Sequence, residues 1–262
     1  MNINLTYKTA LVCGSTQGIG KAAAIQLATM GANIVLVARN EEELIKVKEA
    51  LPISGNQRHF FIKVDFNYPQ EIKVRVAHFI EQNGPIHILV NNTGGPAAGT
   101  VVNAKVEDFI SAFNMHLIAN HTLVQCVAEG MKKEGFGRII NVISTSVKQP
   151  LSGLGVSNTV RGAVANWSKT LSNELAPFGI TVNNVLPGAT NTQRLQNIIS
   201  NKAQTTGKPY QDIANEMTNE VPMKRFAEPH EIANAIAFLA SPAASYITGI
   251  NVPVDGGRTK SL

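Results

Sequence analysis

The chain has 262 residues, 44% of them hydrophobic and 16% charged, which is enough apolar material for a buried core and too little charge for a disordered chain. The net charge is +5, but the only adjacent basic pairs are Lys132-Lys133 and Lys224-Arg225, and no aromatic residues interleave them, so no nucleic-acid-binding stripe is expected. The N-terminus shows no basic-then-apolar leader pattern and no apolar run approaches the ~20 residues of a membrane span, so the expectation is a soluble, cytoplasmic protein without a membrane partner.

In chain order, Val- and Ile-rich runs at 9–13, 33–37, 59–64, 87–91, 138–144, 181–186 and 252–254 predict strands. They are mostly apolar, as strands buried on both faces are. Helical patterns fall between them at 18–30, 41–51, 69–83, 106–133, 154–176 and 229–240. The alternation predicts an α/β fold: a doubly wound, seven-stranded parallel sheet with helices on both faces, spanning 1–262 as a single domain. Residues 189–228 break the rhythm. They are polar and contain no strand, and they are read as a substrate-loop or lid insertion over the carboxyl ends of the strands. Cys13 and Cys126 lie far apart in apolar segments and read as buried thiols.

The first strand runs into Gly14-Ser15-Thr16-Gln17-Gly18-Ile19-Gly20, where a helix begins. Glycines permit a tight turn and close approach to a pyrophosphate, and the helix N-terminus supplies free N–H groups to it. Gly14, Ser15, Gln17, Gly18, Ile19 and Gly20 are therefore expected at a dinucleotide on a Rossmann-type fold. The second strand ends in Val37-Ala38-Arg39, without the acidic residue that bonds a ribose 2′-hydroxyl. Arg39 suits a 2′-phosphate, so NADP(H) is expected in preference to NAD(H).

Over essentially its whole length the sequence resembles the short-chain dehydrogenase/reductase family. The Gly-x3-Gly-x-Gly spacing is that family's. Val64-Asp65 resembles its adenine-contacting aspartate, and Asn91-Asn92-Thr93-Gly94 its Asn-Asn-Ala-Gly turn, with Thr93 for Ala. Leu186-Pro187-Gly188-Ala189-Thr190-Asn191-Thr192 resembles its Pro-Gly turn, and Pro229-His230-Glu231, Thr248-Gly249 and Val254-Asp255-Gly256-Gly257 its closing pattern. The resemblance implies that Asp65, Asn91, Gly94, Arg161, Pro187, Gly188, Thr190 and Thr192 also face the cofactor. It implies a small carbonyl or alcohol substrate, and a homotetramer or homodimer packed through the helices around His116 and Trp167.

The family's reaction transfers a hydride at a carbonyl carbon with proton transfer at oxygen, through an Asn-Ser-Tyr-Lys tetrad. Ser144 matches the serine, with Thr145 and Ser146 as neighbouring alternatives. The tyrosine position is Ser157, the lysine position Arg161, and the asparagine position His116. Ser157 and Arg161 are one helical turn apart and share a face directed at the Ser144 strand end. A serine is a far weaker acid than a phenol, and an arginine does not exchange protons at ordinary pH. His116 is the only one of the four with a suitable reference pKa, and it is read either as a proton donor or as a packed helix residue. No His/Cys/carboxylate spacing suits a metal, and none is expected.

Three functions follow. The first is an NADP(H)-dependent oxidoreductase of a 3-oxoacyl-type or small ketone substrate with a non-standard proton relay. The second is a catalytically degenerate NADP(H)-binding sensor or scaffold. The third rests on a distant resemblance to halohydrin dehalogenases, which carry arginine at the lysine position but also the tyrosine missing here.

Overall fold

The computed structural model describes residues 1–261. Its centre is a seven-stranded parallel sheet built from β1 (Thr9–Cys13), β2 (Asn33–Ala38), β3 (Phe60–Lys63), β4 (Ile88–Asn91), β5 (Gly137–Val142), β6 (Ile180–Pro187) and β7 (Asn251–Val254), in the order β3-β2-β1-β4-β5-β6-β7. The strand order reverses between β1 and β4, and a crevice forms there at the carboxyl ends of the strands.

The strand sequences alternate in the facing sense that a doubly covered sheet requires. Ala10 and Val12 of β1, with Ile34 and Leu36 of β2, belong to one core. Leu11 and Cys13, with Val35 and Val37, belong to the other. The first core is closed by α1 (Gly18–Thr29), α2 (Glu41–Glu49) and α9 (Pro229–Ala240); the second receives α3 (Pro69–Asn83), α5 (Ala119–Glu134) and the C-terminal part of α6 (Gly155–Leu175). No helix among the described residues is long and apolar enough to cross a membrane.

Two predicted elements differ. The helix expected over 106–133 is three pieces: α4 (Val106–Phe113), a π-helical turn (Asn114–Ile118) and α5. A π turn widens the ring by one residue and shifts the face that follows, and such turns are frequent at functional sites. His116 lies inside it. The strand expected to reach Ser144 ends at Val142, because Ser144 caps a short 3₁₀ turn (Thr145–Val147). Residues 189–228 hold no named strand but do hold two helices, α7 (Gln193–Thr206) and α8 (Tyr210–Asn219), whose Leu195, Ile199, Ile213 and Ala214 form a small core of their own. The ends of the segment are tied together: Ala227 N–H donates to Ala189 O, and Asn191 N–H to Ala227 O.

Four asparagines stand in register across the C-terminal half of the sheet: Asn91, Asn141, Asn184 and Asn251. Asn91 Nδ2 donates to Asn141 Oδ1 at 2.8 Å, Asn141 Nδ2 to Asn184 Oδ1 at 3.0 Å, and Asn184 Nδ2 to Asn251 Oδ1 at 2.8 Å. Asn141 Nδ2 also donates to Ser168 Oγ of α6 at 3.2 Å. This ladder joins β4 to β7 just below the crevice with directional bonds. Asn141→Ala leaves its partners unpaired in the interior and is expected to cost about 2–4 kcal/mol. Urea titration at an unchanged m value measures it; a loss below about 1 kcal/mol would show that the ladder is not coupled.

Candidate active site

The chain leaves β1 through Gly14 and Gly18, which have φ of +57° and +54°. A Cβ on Gly14 would sit 2.5 Å from Asn92 O, and one on Gly20 would sit 2.2 Å from Gly14 O. The turn therefore closes only without side chains. Asn92 Nδ2 donates to Cys13 O and Gly14 O at 3.2 and 3.4 Å, bracing the turn against the end of β4. The helix α1 starts at Gly18, and Gln17 gives no side-chain cap, so the N–H groups of the first turn stay open to an anion. Ile19 packs behind the turn on the core.

Arg39 follows β2 with its side chain 71% exposed, and its Nη1 lies 3.7 Å from Asp65 Oδ2 after β3. An exposed pair of this length is weak, which leaves the guanidinium available. At the other side of the crevice, Pro187 ends β6 and Gly188 packs on Asp255, where a Cβ would be 2.7 Å from Asp255 Cα. Thr190 Oγ1 donates to Gly188 O, and Thr192 caps α7 by accepting from Leu195 N–H. Thr192 Cγ2 lies 3.2 Å from where a Gly18 Cβ would be, so the base of the 189–228 segment rests on the glycine turn. Gly94 is open, with no heavy atom within 4 Å of its Cβ position.

Two of the residues expected at the dinucleotide have side chains employed elsewhere. Ser15 is fully buried, and its Oγ accepts from Val37 N–H at 3.0 Å, so its hydroxyl serves β2. Asn91 is buried in the asparagine ladder, although its Oδ1 has no partner. The cradle as a whole fits a dinucleotide: a glycine turn without room for side chains, an uncapped helix start and an exposed arginine at the end of β2.

The four catalytic candidates converge on the carboxyl ends of β4 and β5. Ser144 Oγ accepts from Ser146 N–H at 3.1 Å, which leaves its hydroxyl proton to donate. Arg161 is buried and its Nη1 donates to Val142 O at 2.8 Å, pinning the first turns of α6 against the end of β5. Burial, with the nearby Arg194 charge, pushes its pKa down to about 10, so it stays a cation at neutral pH. Ser157 is buried one turn earlier on the same helix. His116 is buried, and its Nδ1 lies 2.5 Å from Thr93 Oγ1.

The expectation that His116 has a pKa suited to proton exchange is corrected. Burial above all, then the charges of Arg161 and Arg194, push its pKa down to about 2, and the imidazole is neutral. Two other histidines have structural work. His87 Nδ1 accepts from Thr9 N–H, and His59 Nδ1 accepts from Ile34 N–H. The Cys13 thiol is pushed up to about 12 by burial and is inert.

Three residues at the crevice escaped the sequence reading. Asn92 braces the glycine turn, although it stood in plain view beside Asn91. Thr93 was visible only as a departure from Ala. Arg194 at the start of α7 reaches across to Gly95 O at 2.6 Å and Pro96 O at 3.1 Å. A Cβ on Gly95 would be 2.5 Å from Arg194 Nη2, so a side chain there would displace the guanidinium. Among the described residues no carboxylate forms an ion pair with Arg161 or Arg194.

The profile of the family described as enoyl-(acyl carrier protein) reductase matches residues 14–259. The chain is 33% identical over 259 residues to the NADPH-dependent reductase BacG of Bacillus subtilis (strain 168), covering 98% of this chain and 100% of that protein. It is 34% identical over 257 residues to the 3-oxoacyl-[acyl-carrier-protein] reductase FabG of Vibrio cholerae, covering 97% and 98%. The structure of L-sorbose reductase from Gluconobacter frateurii, complexed with NADPH and L-sorbose, superposes with a TM-score of 0.94 at 32% identity over 100% of both chains. The chain belongs to the short-chain dehydrogenase/reductase family.

The neutrality of His116 has a consequence for stability. Above pH 6.5 neither the folded nor the unfolded chain protonates this group. As the pH falls the unfolded chain takes up the proton first, so stability drops from 6.5 down to about 2. His116→Asn is expected to remove about 2 kcal/mol of the loss between pH 7 and pH 5, read by denaturant titration at both pH values. An unchanged pH slope would mean that His116 titrates normally.

Proposed function

We propose that the protein is an NADP(H)-dependent oxidoreductase that reduces a carbonyl substrate, or oxidises the alcohol, with hydroxyls and a neutral imidazole in place of the tyrosine. The observation that carries this reading is the cofactor cradle: the Gly14–Gly20 turn, the uncapped start of α1 and exposed Arg39. It is supported by relatives named as NADPH-dependent reductases and by a similar reductase structure containing NADPH.

When bound, the reduced nicotinamide supplies the hydride. The chain must then polarise the carbonyl and stabilise charge on its oxygen. Ser144 has a hydroxyl proton to donate, and Ser157 adds a second hydroxyl nearby. Arg161 provides a fixed positive charge in a dry setting, where such charge acts strongly. His116 offers its Nε2 as a neutral donor. The oxygen takes its proton from solvent, relayed by the serine hydroxyls. A 3-oxoacyl-type or small ketone substrate is consistent with the relatives. We place the substrate under the 189–228 segment as a lid on a single domain spanning 1–262. Asp65, Gly94, Pro187, Gly188, Thr190 and Thr192 complete the cofactor contacts. The exposed apolar residues Val106, Ile110 and Ile118 recur along α4 and the π turn, and support a homotetramer or homodimer joined through these helices.

Arg39→Ala is expected to weaken NADPH binding about 10–100-fold and leave NADH nearly unaffected, as loss of a charge-assisted contact to the 2′-phosphate would. Titration of the nicotinamide fluorescence with both cofactors measures this, and an unchanged NADPH/NADH ratio would overturn the cofactor assignment.

The serine at position 157 favours one second reading, an NADP(H)-binding sensor without turnover. The double variant Ser157→Tyr/Arg161→Lys separates the two in an NADPH-oxidation assay against a panel of ketones. Activity only in the double variant supports the sensor. Activity in the wild type that falls in the double variant supports the enzyme.

A further inference from the structure

Two positions where the chain departs from the family pattern are in contact. Thr93, after β4, stands where the pattern has alanine, and His116, in the π turn, stands where it has asparagine. They are 23 residues apart in sequence, and Thr93 Oγ1 lies 2.5 Å from His116 Nδ1. Neither departure has this partner without the other: alanine has no hydroxyl to offer the ring. The π turn between α4 and α5 is the backbone adjustment that carries the ring.

The other ring nitrogen is the informative one. His116 is 1% exposed, and its Nε2 is a buried polar atom with no hydrogen-bond partner. Such an atom is destabilising unless something satisfies it. His116 also lines a cavity of about 230 Å³ with Pro96, Ala112, Met115 and Val156, the last adjacent in sequence to Ser157. An unpaired nitrogen on a residue that lines a cavity is a candidate contact for a ligand.

We propose that Thr93 is a positioning residue: its hydroxyl donates to His116 Nδ1, which places the single ring proton on Nε2 and makes His116 a fixed, neutral donor to the substrate oxygen. A neutral imidazole carries one N–H, so the bond made at Nδ1 decides what Nε2 can do. The opposite tautomer, with Nδ1 donating to Thr93, would present a lone pair to the substrate oxygen and repel it. The depressed pKa of His116, caused by burial and by Arg161 and Arg194, agrees with a donor that stays uncharged. His116 keeps its proton throughout; it polarises the oxygen and transfers nothing. Its use on a carbonyl rests on the function proposed above, whereas the tautomer is read directly, without turnover.

The test is long-range ¹H–¹⁵N correlation NMR on the full ¹⁵N-labelled chain, with and without NADPH, on wild type, Thr93→Val and Thr93→Ser. Wild type and Thr93→Ser are expected to show a protonated Nε2 and an unprotonated Nδ1 at His116. Thr93→Val is expected to show a tautomer mixture. On any ketone that is turned over, Thr93→Val lowers kcat at least about tenfold with NADPH affinity unchanged, and Thr93→Ser restores it. A proton on Nδ1 in the wild type, or a spectrum unmoved by Thr93→Val, overturns the inference. The expected tautomer without turnover of any carbonyl overturns the proposed reaction and leaves the Thr93–His116 assignment standing.

Discussion

Everything at the crevice depends on one close approach of main chains. Gly14, Gly20 and the carbonyl of Asn92 come so near one another that no Cβ fits between them. This contact sets where α1 begins relative to β4. It therefore sets the distance between the open N–H groups that would hold a pyrophosphate and the Thr93–Gly94 segment that leads to the reacting end. Asn92 locks the approach from the side with two bonds to the turn. The Thr192 methyl resting on Gly18 extends the same contact to the base of the 189–228 segment.

Polar order inside the sheet supports that geometry. Packing on its two apolar faces sets the register of the sheet, and paired polar groups add directional bonds to it. The ladder Asn91–Asn141–Asn184–Asn251 does so for the four strands that carry the reacting end, and Asn141 extends it to α6 through Ser168. Arg161 adds a second tie from α6 to the end of β5. The position of Ser157 follows from these two anchors, since it lies one turn before Arg161 on a helix fixed at both depths.

The reacting end has a different electrostatic logic from that of a phenol–ammonium pair. Two guanidiniums without carboxylate partners surround a histidine that burial has already made neutral. The positive charge is permanent and does not titrate near neutrality, and the donors around it are hydroxyls and an uncharged ring. Such a site stabilises a negative oxygen by fixed charge and hydrogen bonds rather than by an acid tuned to the working pH.

Much of this protein was legible in its sequence because the relevant constraints are local. A turn that needs positive φ selects glycine, so Gly14 and Gly18 announce themselves, and unbroken apolar runs announce a sheet covered on both faces. Pro69–Asn83 and Pro229–Ala240 carry their own start signals, and their limits were read to the residue. Replacement of tyrosine and lysine by Ser157 and Arg161 was equally plain, since spacing along one helix survives in sequence. What only the tertiary structure decided is the state of the side chains there. The π turn at His116, its neutrality, its contact with Thr93 and the reach of Arg194 to Gly95 arise from groups brought together across long stretches of chain. Desolvation and Coulomb interactions act through space, and no spacing rule encodes them.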